Sequence, residues 1–254
     1  MKVLITRSCE QSSEFAELLK NYNLEPTFFP VLKIEAPHSW DELDEKIIKI
    51  DEYDALIFTS ANGVRFFFER FKKNFSKEKL LLKTFCAVGG KTTSALEKEG
   101  FDVAFTPEYF TAKGLVDMIF KRAKPFKKAL FLHGNLSEKE VEIELLKSGI
   151  AVDSVEVYRT IPFQPEAEIV VKTGEMLLKG EISVVTFFSP SSVENFLTIV
   201  SKEFLKDVAL AAVGTTTESA LFKNGLKADI VPKEGKFTAE KLAEEIAEYL
   251  QNKN

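Results

Sequence analysis

Residues 88–96 read VGGKTTSAL, and residues 213–221 read VGTTTESAL. The first residue of each stretch ends a β-rich run, and small and hydroxyl side chains follow it. Serine and threonine are preferred where helices begin, because their oxygens accept hydrogen bonds from the first unpaired backbone N–H groups. The two stretches therefore predict a strand-to-helix turn that occurs once in each half of the chain.

The similarity extends outward from these stretches. Residues 17–20 and 144–147 both read ELLK, and residues 111–115 and 238–242 read TAKGL and TAEKL, with an offset of 127 in both cases. Residues 58–60 and 187–189 read FTS and FFS, 129 positions apart. Half of the 254-residue chain is also 127 residues. Collinear matches at nearly one offset indicate an internal duplication.

Short β-rich runs alternate with helical stripes in both halves. Runs such as ALIF at 55–58 and VVTFF at 184–188 have the length and composition of buried strands. Between such runs, apolar residues recur at helical spacing, as in Val64, Phe67, Phe68 and Phe71. This alternation predicts the α/β class, with parallel sheets covered by helices on both faces. We therefore expect two similar doubly wound parallel-sheet lobes.

The composition excludes several classes of protein. With a net charge of −5, the chain is not expected to present a broad nucleic-acid-binding face. Its amino terminus turns polar at Thr6 after a short apolar run, so we expect neither a signal peptide nor a membrane span and place the protein in the cytosol. Cys9 and Cys86 lie in no CxxC pattern and are expected to be reduced thiols.

Metal and nucleotide chemistry are not expected either. The two histidines, His38 and His133, and the two cysteines are scattered, so we predict no metal site. A Ser-His-Asp hydrolase would need one of these histidines, and the context of His133 matches no nucleophile elbow. No GxGxxG follows the first strand, and residues 89–92 (GGKT) resemble only the tail of a P-loop.

In open parallel sheets, ligands lie beyond the carboxyl ends of the strands. The segments at these positions are rich in hydroxyls and glycines: residues 6–8 (TRS), 59–63 (TSANG), 89–93 (GGKTT), 189–192 (SPSS) and 214–217 (GTTT). One interpretation is that the hydroxyls are ordinary helix caps. The other is that several helix amino termini share one crevice and hold a carboxylate-rich or phosphate-rich ligand with their N–H groups.

Two side chains outside the hydroxyl set are candidates. Arg7 follows the first strand and has the fork geometry that suits a carboxylate, although a salt bridge within the protein would explain it equally well. Tyr158 lies in the extended run VEVYRT at 155–160, whose repeat partner surrounds Val31. Both runs have prolines at their ends and are typical of connectors. Tyr158 is therefore either a phenol near a hinge, able to donate a proton, or a buried connector residue.

Taken in order, several motifs resemble those of one family. They are LITR at 4–7, FTSANGV at 58–64, AVGxxT at 87–92, VYxT at 157–160, FFSPS at 187–191 and AVGxTT at 212–217. In this order and spacing they resemble the uroporphyrinogen-III synthase family, from Val3 to the carboxyl-terminal helix. The resemblance implies a lobe of residues 1–35 plus 162–254 and a second lobe of residues 36–161. It also implies a two-stranded linker, with strands near 30–37 and 155–163.

The resemblance also implies a reaction. The substrate would be hydroxymethylbilane, a linear tetrapyrrole with acetate and propionate side chains. A cofactor-free lyase would remove the terminal hydroxyl as water and close the ring through a spiro intermediate, giving uroporphyrinogen III with ring D inverted. The main task of the enzyme would be positioning, because the free bilane closes to the uninverted isomer. The implied protein is a monomer in transient contact with the upstream deaminase, with no nucleic-acid or membrane partner.

Site residues carry over by motif position. Tyr158 matches the family tyrosine proposed to assist departure of the hydroxyl, and we assign it the catalytic role, as a helper and not as an indispensable acid. The predicted substrate-binding residues are Arg7, Ser60, Asn62, Gly63, Gly89, Lys91, Thr92, Ser189, Ser191, Gly214, Thr216 and Thr217. Lys91 departs from the family pattern, because it adds a positive charge at its helix start.

Two other readings remain open from the sequence. The first is a two-lobed protein that binds a small anion and catalyses nothing. The second is a different α/β enzyme, such as a sugar-phosphate or nucleotide-dependent transferase, which the missing glycine fingerprints make less favourable. Because one fold hosts many functions, the fold alone does not separate these readings.

Overall fold

The structure is a computed structural model that describes residues 1–105, 112–121, 126–137, 139–232 and 238–253. Thr111, part of one predicted repeat, lies outside the described residues. The chain divides into two compact units. Unit 1 comprises Met1–Lys33 and Ile161–Asn254, and unit 2 comprises Ile34–Thr160.

The described residues form alternating strands and helices. The strands are β1 (Lys2–Ile5), β2 (Glu25–Phe28), β3 (Leu32–Glu35), β4 (Ala55–Phe58), β5 (Thr84–Ala87), β6 (Val103–Phe105), β7 (Lys128–Gly134), β8 (Ala151–Pro162), β9 (Ile182–Phe187) and β10 (Ala209–Ala212). The helices are α1 (Cys9–Asn21), α2 (Asp41–Ile48), α3 (Ala61–Asn74), α4 (Gly90–Lys98), α5 (Ala112–Lys121), α6 (Glu140–Lys147), α7 (Ala167–Leu178), α8 (Pro190–Ile199), α9 (Thr215–Lys223) and α10 (Ala239–Asn252). None of these helices combines the length and apolarity that a membrane crossing would need.

Unit 1 is built on a parallel sheet with strand order β10-β9-β1-β2. Alternate residues of β1 face opposite sides, as the period of two in a strand requires. Val3 and Ile5 pack in a cluster with residues of α1 and α10, whereas Leu4 packs in a second cluster with residues of α7, α8 and α9. Helices therefore cover both faces of this sheet.

Unit 2 has the strand order β3-β8-β7-β4-β5-β6, and the pairs from β8 to β6 are parallel. Leu56 and Phe58 of β4 face a cluster supplied by α2, α3 and α4. Ala55 and Ile57 face a second cluster supplied by α5 and α6. The predicted α/β class with parallel sheets is confirmed, and the sheet of each unit has helices on both faces.

In unit 2, Tyr53 is hydrogen-bonded to a salt-bridged aspartate, Asp153, near the amino-terminal ends of the strands. The hydroxyl of Tyr53 donates to Asp153 Oδ2 at 2.6 Å, and Lys128 Nζ lies 3.3 Å from the same oxygen. The Tyr53 hydrogen bond is the main reason that the pKa of Asp153 lies below its ordinary value, and Lys128 and Lys46 add to the effect. Because the carboxylate is favoured in the folded chain, Asp153 stabilises the fold above its unfolded pKa of about 3.9.

This stabilisation is lost as the pH falls through the lowered folded pKa of Asp153. We expect the free energy of unfolding in urea to fall less between pH 5 and pH 2.5 in Asp153→Asn than in the unsubstituted protein. The matched control is Asp207→Asn, at an exposed position, which should fall as steeply as the unsubstituted protein. An Asp153→Asn protein that loses stability just as steeply would show that this carboxylate contributes nothing.

Candidate active site

In unit 2, the carboxyl ends of four adjacent parallel strands bring predicted site residues to one edge of the sheet. Tyr158 of β8 pairs with Gly134 at the end of β7. Next to β7 lies β4, which ends just before Ser60, and next to β4 lies β5, which ends just before Gly89. Parallel pairing therefore collects residues that are up to about a hundred positions apart in the chain.

Tyr158 is held by its ring and leaves its hydroxyl available. The half-buried ring stacks on Phe66 of α3, with centroids 6.1 Å apart and planes 15° apart. It also covers Gly134, where an added Cβ would lie only 2.4 Å from Tyr158 Cζ. Among the described residues, no hydrogen-bond partner faces the Tyr158 hydroxyl. The phenol can thus donate to a ligand without breaking a bond within the protein.

Two of the residues that orient Tyr158, Gly134 and Phe66, are not among the site residues predicted from the sequence. Gly134 is the last residue of β7. Because ligands in parallel sheets lie beyond the carboxyl ends of the strands, this position could have been predicted from the sequence. Phe66 lies in the helical stripe region of α3, where a core position and a ring-stacking position look alike in sequence. Nothing in the sequence distinguishes the two roles.

Ser60, Asn62 and Gly63 form the start of α3. The Ser60 side chain accepts a hydrogen bond from the Asn62 N–H at 3.1 Å, so it caps the helix. Gly63 is buried where α3 passes β7, and a Cβ there would lie 3.4 Å from Leu132 O. That is an ordinary van der Waals distance, so packing alone does not require glycine at this position. Ser60 and Asn62 themselves stay half-buried at the strand ends.

Gly89, Lys91 and Thr92 form the start of α4. Gly89 has a φ of 98°, which L side chains rarely adopt, so the turn requires glycine at this position. Thr92 is buried, and its hydroxyl donates to Val88 O at 3.1 Å. A ligand would have to compete with that bond for the Thr92 hydroxyl. Lys91 lies on the exposed side of the same helical turn.

Arg7 lies at the carboxyl end of β1, in unit 1. Its guanidinium carbon lies 4.4 Å from the centroid of the Phe188 ring, which contacts Phe15 edge-on. Burial lowers the pKa of Arg7 to about 10, because desolvation disfavours the charged form. At neutral pH the side chain is still a cation, and no carboxylate pairs with it in the part of the chain that the structure describes. Arg7 is therefore a desolvated cation suited to an incoming carboxylate.

The other unit 1 candidates lie at the starts of α8 and α9, which follow β9 and β10. In the sheet, β9 is the neighbour of β1, the strand that precedes Arg7. Ser189 and Ser192 form a reciprocal capping box, with both bonds at 3.2 Å, and Ser191 Oγ lies 3.2 Å from Ser189 Oγ. Thr217 is buried and Thr216 is exposed. Gly214 has a φ of −172°, an extended conformation open to any residue, so the backbone does not require glycine there.

Each unit thus has its own group of candidate residues. Tyr158 and the starts of α3 and α4 lie along the carboxyl edge of the unit 2 sheet, and Arg7 with the starts of α8 and α9 lies along that of unit 1. Within the described ranges, no group of three or more His, Cys, Asp or Glu side chains is arranged to hold a metal ion.

A family model described as uroporphyrinogen-III synthase HemD matches residues 13–244 of this chain. The chain belongs to the uroporphyrinogen-III synthase family. It is 32% identical over 252 residues to uroporphyrinogen-III synthase of Chlorobaculum parvum, covering 98% of this chain and 99% of that one. It is 29% identical over 227 residues to the enzyme of Synechococcus elongatus, covering 85% of this chain and 83% of that one. The family resemblance predicted from the motifs is confirmed.

Solved structures in the family have the same fold. Uroporphyrinogen-III synthetase of Helicobacter pylori aligns with a TM-score of 0.69 at 20% identity, covering 98% of this chain and 99% of that one. A mutant uroporphyrinogen III synthase of Thermus thermophilus aligns with a TM-score of 0.65 at 22% identity, with 99% coverage of both chains. At such low identity, the likeness concerns the fold alone.

The close packing of Tyr158 on Gly134 leads to a prediction. Gly134→Ala places a methyl group inside the volume of the phenol ring, so it should lower the free energy of unfolding by about 1–3 kcal/mol. Combining it with Tyr158→Ala, which removes the ring, should reduce that loss to under about 1 kcal/mol. The measurement is a double-mutant cycle from urea unfolding.

A matched glycine provides the control for this cycle. Gly90 opens α4, and a Cβ there would meet nothing within 4 Å. Gly90→Ala should leave the stability unchanged or raise it by up to about 1 kcal/mol. Equal losses for Gly134→Ala with and without the Tyr158 ring would contradict the proposed packing.

Proposed function

We propose that this protein is a lyase that converts hydroxymethylbilane into uroporphyrinogen III, with inversion of ring D and loss of water. Membership of the family is the observation that carries this proposal. The separate surroundings of Tyr158 in unit 2 and Arg7 in unit 1 agree with it, because among the described residues the phenol and the cation each lack a polar partner. The substrate bears a hydroxyl that must depart and acidic side chains that must be held.

Tyr158 would act on the departing hydroxyl. Its O–H would donate a proton to the hydroxymethyl oxygen as the carbon–oxygen bond breaks. The nitrogen of the substrate pyrrole that carries the hydroxymethyl group would supply the electron pair that stabilises the carbon left behind. Attack by ring D on this carbon would give the spiro intermediate, which would fragment and close in the inverted sense. The last step releases a proton that restores the donor, so the net change is the loss of one water.

Arg7 and the helix starts would hold the acidic side chains. The desolvated guanidinium of Arg7 can form a bidentate pair with one carboxylate, and such a pair is strengthened where water is excluded. The amino termini of α3, α4, α8 and α9 present N–H groups and the positive ends of helix dipoles. Backbone donors suit this task because they hold the substrate in a fixed geometry, and this geometry would determine which isomer forms.

We propose that the reaction needs no cofactor. Loss of water and formation of a carbon–carbon bond involve no net oxidation or reduction, so no electron carrier is required by the balance. We also propose that the protein acts as a monomer in the cytosol, in transient contact with the deaminase that makes the bilane. Both cysteines are free thiols, as a reducing compartment would keep them.

We further propose that the two units are similar lobes produced by duplication. Strand order β10-β9-β1-β2 in unit 1 corresponds, at an offset near 127, to β5-β4-β7-β8 in unit 2. Of these four corresponding strands, each sheet takes two from one half of the sequence and two from the other. The boundary between the units falls within β3 and within β8, which are neighbours in the sheet, and we assign these two strands as the linker.

The function is tested by a coupled assay. Porphobilinogen and a purified bilane-forming deaminase are incubated with and without this protein, and the oxidised products are separated into type I and type III isomers. We expect type III to replace type I when the protein is present. If folded protein leaves only type I, the proposed function is wrong, and a two-lobed protein that binds small anions becomes the better hypothesis.

The role of Tyr158 predicts a loss of rate rather than of selectivity. Tyr158→Phe keeps the ring and its stacking on Phe66 but removes the proton donor, so kcat should fall by about tenfold or more, while type III remains the product. Tyr22→Phe removes an exposed phenol from the end of α1 and is the matched control. An unchanged kcat in Tyr158→Phe would exclude the phenol from the chemical step.

The role of Arg7 predicts a loss of binding. Arg7→Gln removes a charge-assisted pair with the substrate, so KM should rise by about tenfold or more, and Arg7→Lys should restore part of the affinity. Because the guanidinium has no carboxylate partner in the described structure, the stability of Arg7→Gln should fall by no more than the loss of its contact with the Phe188 ring, about 1 kcal/mol. A variant with unchanged KM would show that Arg7 does not contact the substrate.

A further inference from the structure

Asn135 forms hydrogen bonds to the backbone on both sides of Arg159 in β8. Its N–H donates to Tyr158 O at 3.2 Å. Its side-chain Oδ1 accepts from the Thr160 N–H at 2.7 Å, and its Nδ2 donates to Thr160 O at 3.1 Å. A single residue therefore makes three hydrogen bonds to a segment of three residues.

These bonds replace a strand that has ended. In a parallel ladder, the N–H and C=O of one residue point toward the same neighbouring strand. β7 supplies that neighbour as far as Gly134, after a shift in register between His133 and Gly134. Beyond this point, the N–H and C=O of Thr160 would have no strand to pair with. The side-chain amide of Asn135 carries an acceptor and a donor and so satisfies both groups.

The same bonds determine where Tyr158 lies. The backbone N–H of Asn135 holds the carbonyl of Tyr158, and the side chain of Asn135 holds the backbone two residues later, at Thr160. Its ring is then confined between Phe66 and the surface of Gly134. With the Asn135 side chain removed, the ring contacts and the backbone bond to Tyr158 O would remain, but Thr160 would lose both of its side-chain hydrogen bonds. The backbone two residues after Tyr158 would then no longer be held, and with it the direction of the phenol.

We propose that Asn135 is a positioning residue that holds Tyr158 in its productive orientation. This inference rests on the proposed function, since the phenol must have a task before its orientation matters. Asn135 touches neither the substrate nor the reacting atoms in this scheme. It acts through the backbone of Tyr158 and Thr160, and its effect on the rate must therefore depend on the phenol.

The kinetic test is a double-mutant cycle with Tyr158. Asn135→Ala should lower kcat by about three- to tenfold and leave KM within about twofold, because misplacing a catalytic group affects the chemical step. In a Tyr158→Phe background, the same substitution should change kcat by less than about twofold. Losses that multiply in the double variant would overturn the inference, as would a wild-type kcat in Asn135→Ala.

Two further variants separate positioning from general stability. Asn135→Asp keeps the acceptor for the Thr160 N–H but sets a carboxylate oxygen against Thr160 O, and we expect its kcat to lie between those of the unsubstituted protein and Asn135→Ala. It also replaces Asn135→Ala in the cycle should the alanine variant not fold. Asn224→Ala, which removes a comparable 2.9 Å amide bond to Ala220 O in unit 1, should leave kcat unchanged. A similar loss of kcat in Asn224→Ala would overturn the inference.

Amide hydrogen exchange tests the inference independently of activity. Asn135→Ala removes the acceptor of the Thr160 N–H, so protection of that amide should fall by at least tenfold relative to the unsubstituted protein. Unchanged protection would overturn the inference even if the protein makes type III. Conversely, if the unsubstituted protein makes only type I, the proposed function fails while exchange still reports whether Asn135 holds β8.

Discussion

Parallel strand pairing is the constraint on which the rest of this structure depends. Every paired strand from β8 to β6 in unit 2, and from β10 to β2 in unit 1, runs in the same direction as its neighbour. The carboxyl ends therefore meet at one edge of each sheet, and the chain must return through a helix whose amino terminus lies at that same edge. Candidate binding groups are brought together by this geometry before any particular side chain is chosen.

At the same edge, backbone N–H and C=O groups at strand ends and helix starts lack partners within their own elements. Many of the candidate residues form hydrogen bonds to these groups. Ser60 and Ser189 cap helices, Thr92 bonds to the carbonyl of Val88, and Asn135 completes the ladder beside β8. Both interpretations of the hydroxyl-rich segments are thus compatible, because a capped helix start still presents other N–H groups. Arg7 and Tyr158 differ from this set, since neither has a polar partner for its functional group among the described residues.

The proposed function assigns different roles to the residues of the two units. Unit 2 carries the phenol and the residues that orient it, and unit 1 carries the desolvated cation. Under the proposed duplication, the two edges began as equivalent positions and then diverged. Under that proposal, Lys91 of unit 2, which aligns with Thr216 in the repeat, would be one product of the divergence. Under the proposed function, selectivity for one isomer depends on geometry more than on acid strength.

The sequence by itself determined the α/β class, the alternation of strands and helices, and the family, because these depend on local periodicity and on motifs whose order survives in the chain. It also placed Arg7 after the first strand and Tyr158 within an extended run. Only the tertiary structure showed that Tyr158 rests on Gly134, stacks on Phe66 and is tied through Asn135, because these contacts join β7, α3 and β8, which are far apart in sequence. It also showed that Arg7 is desolvated and lies on Phe188, since burial depends on how β1 and β9 pair across 180 residues.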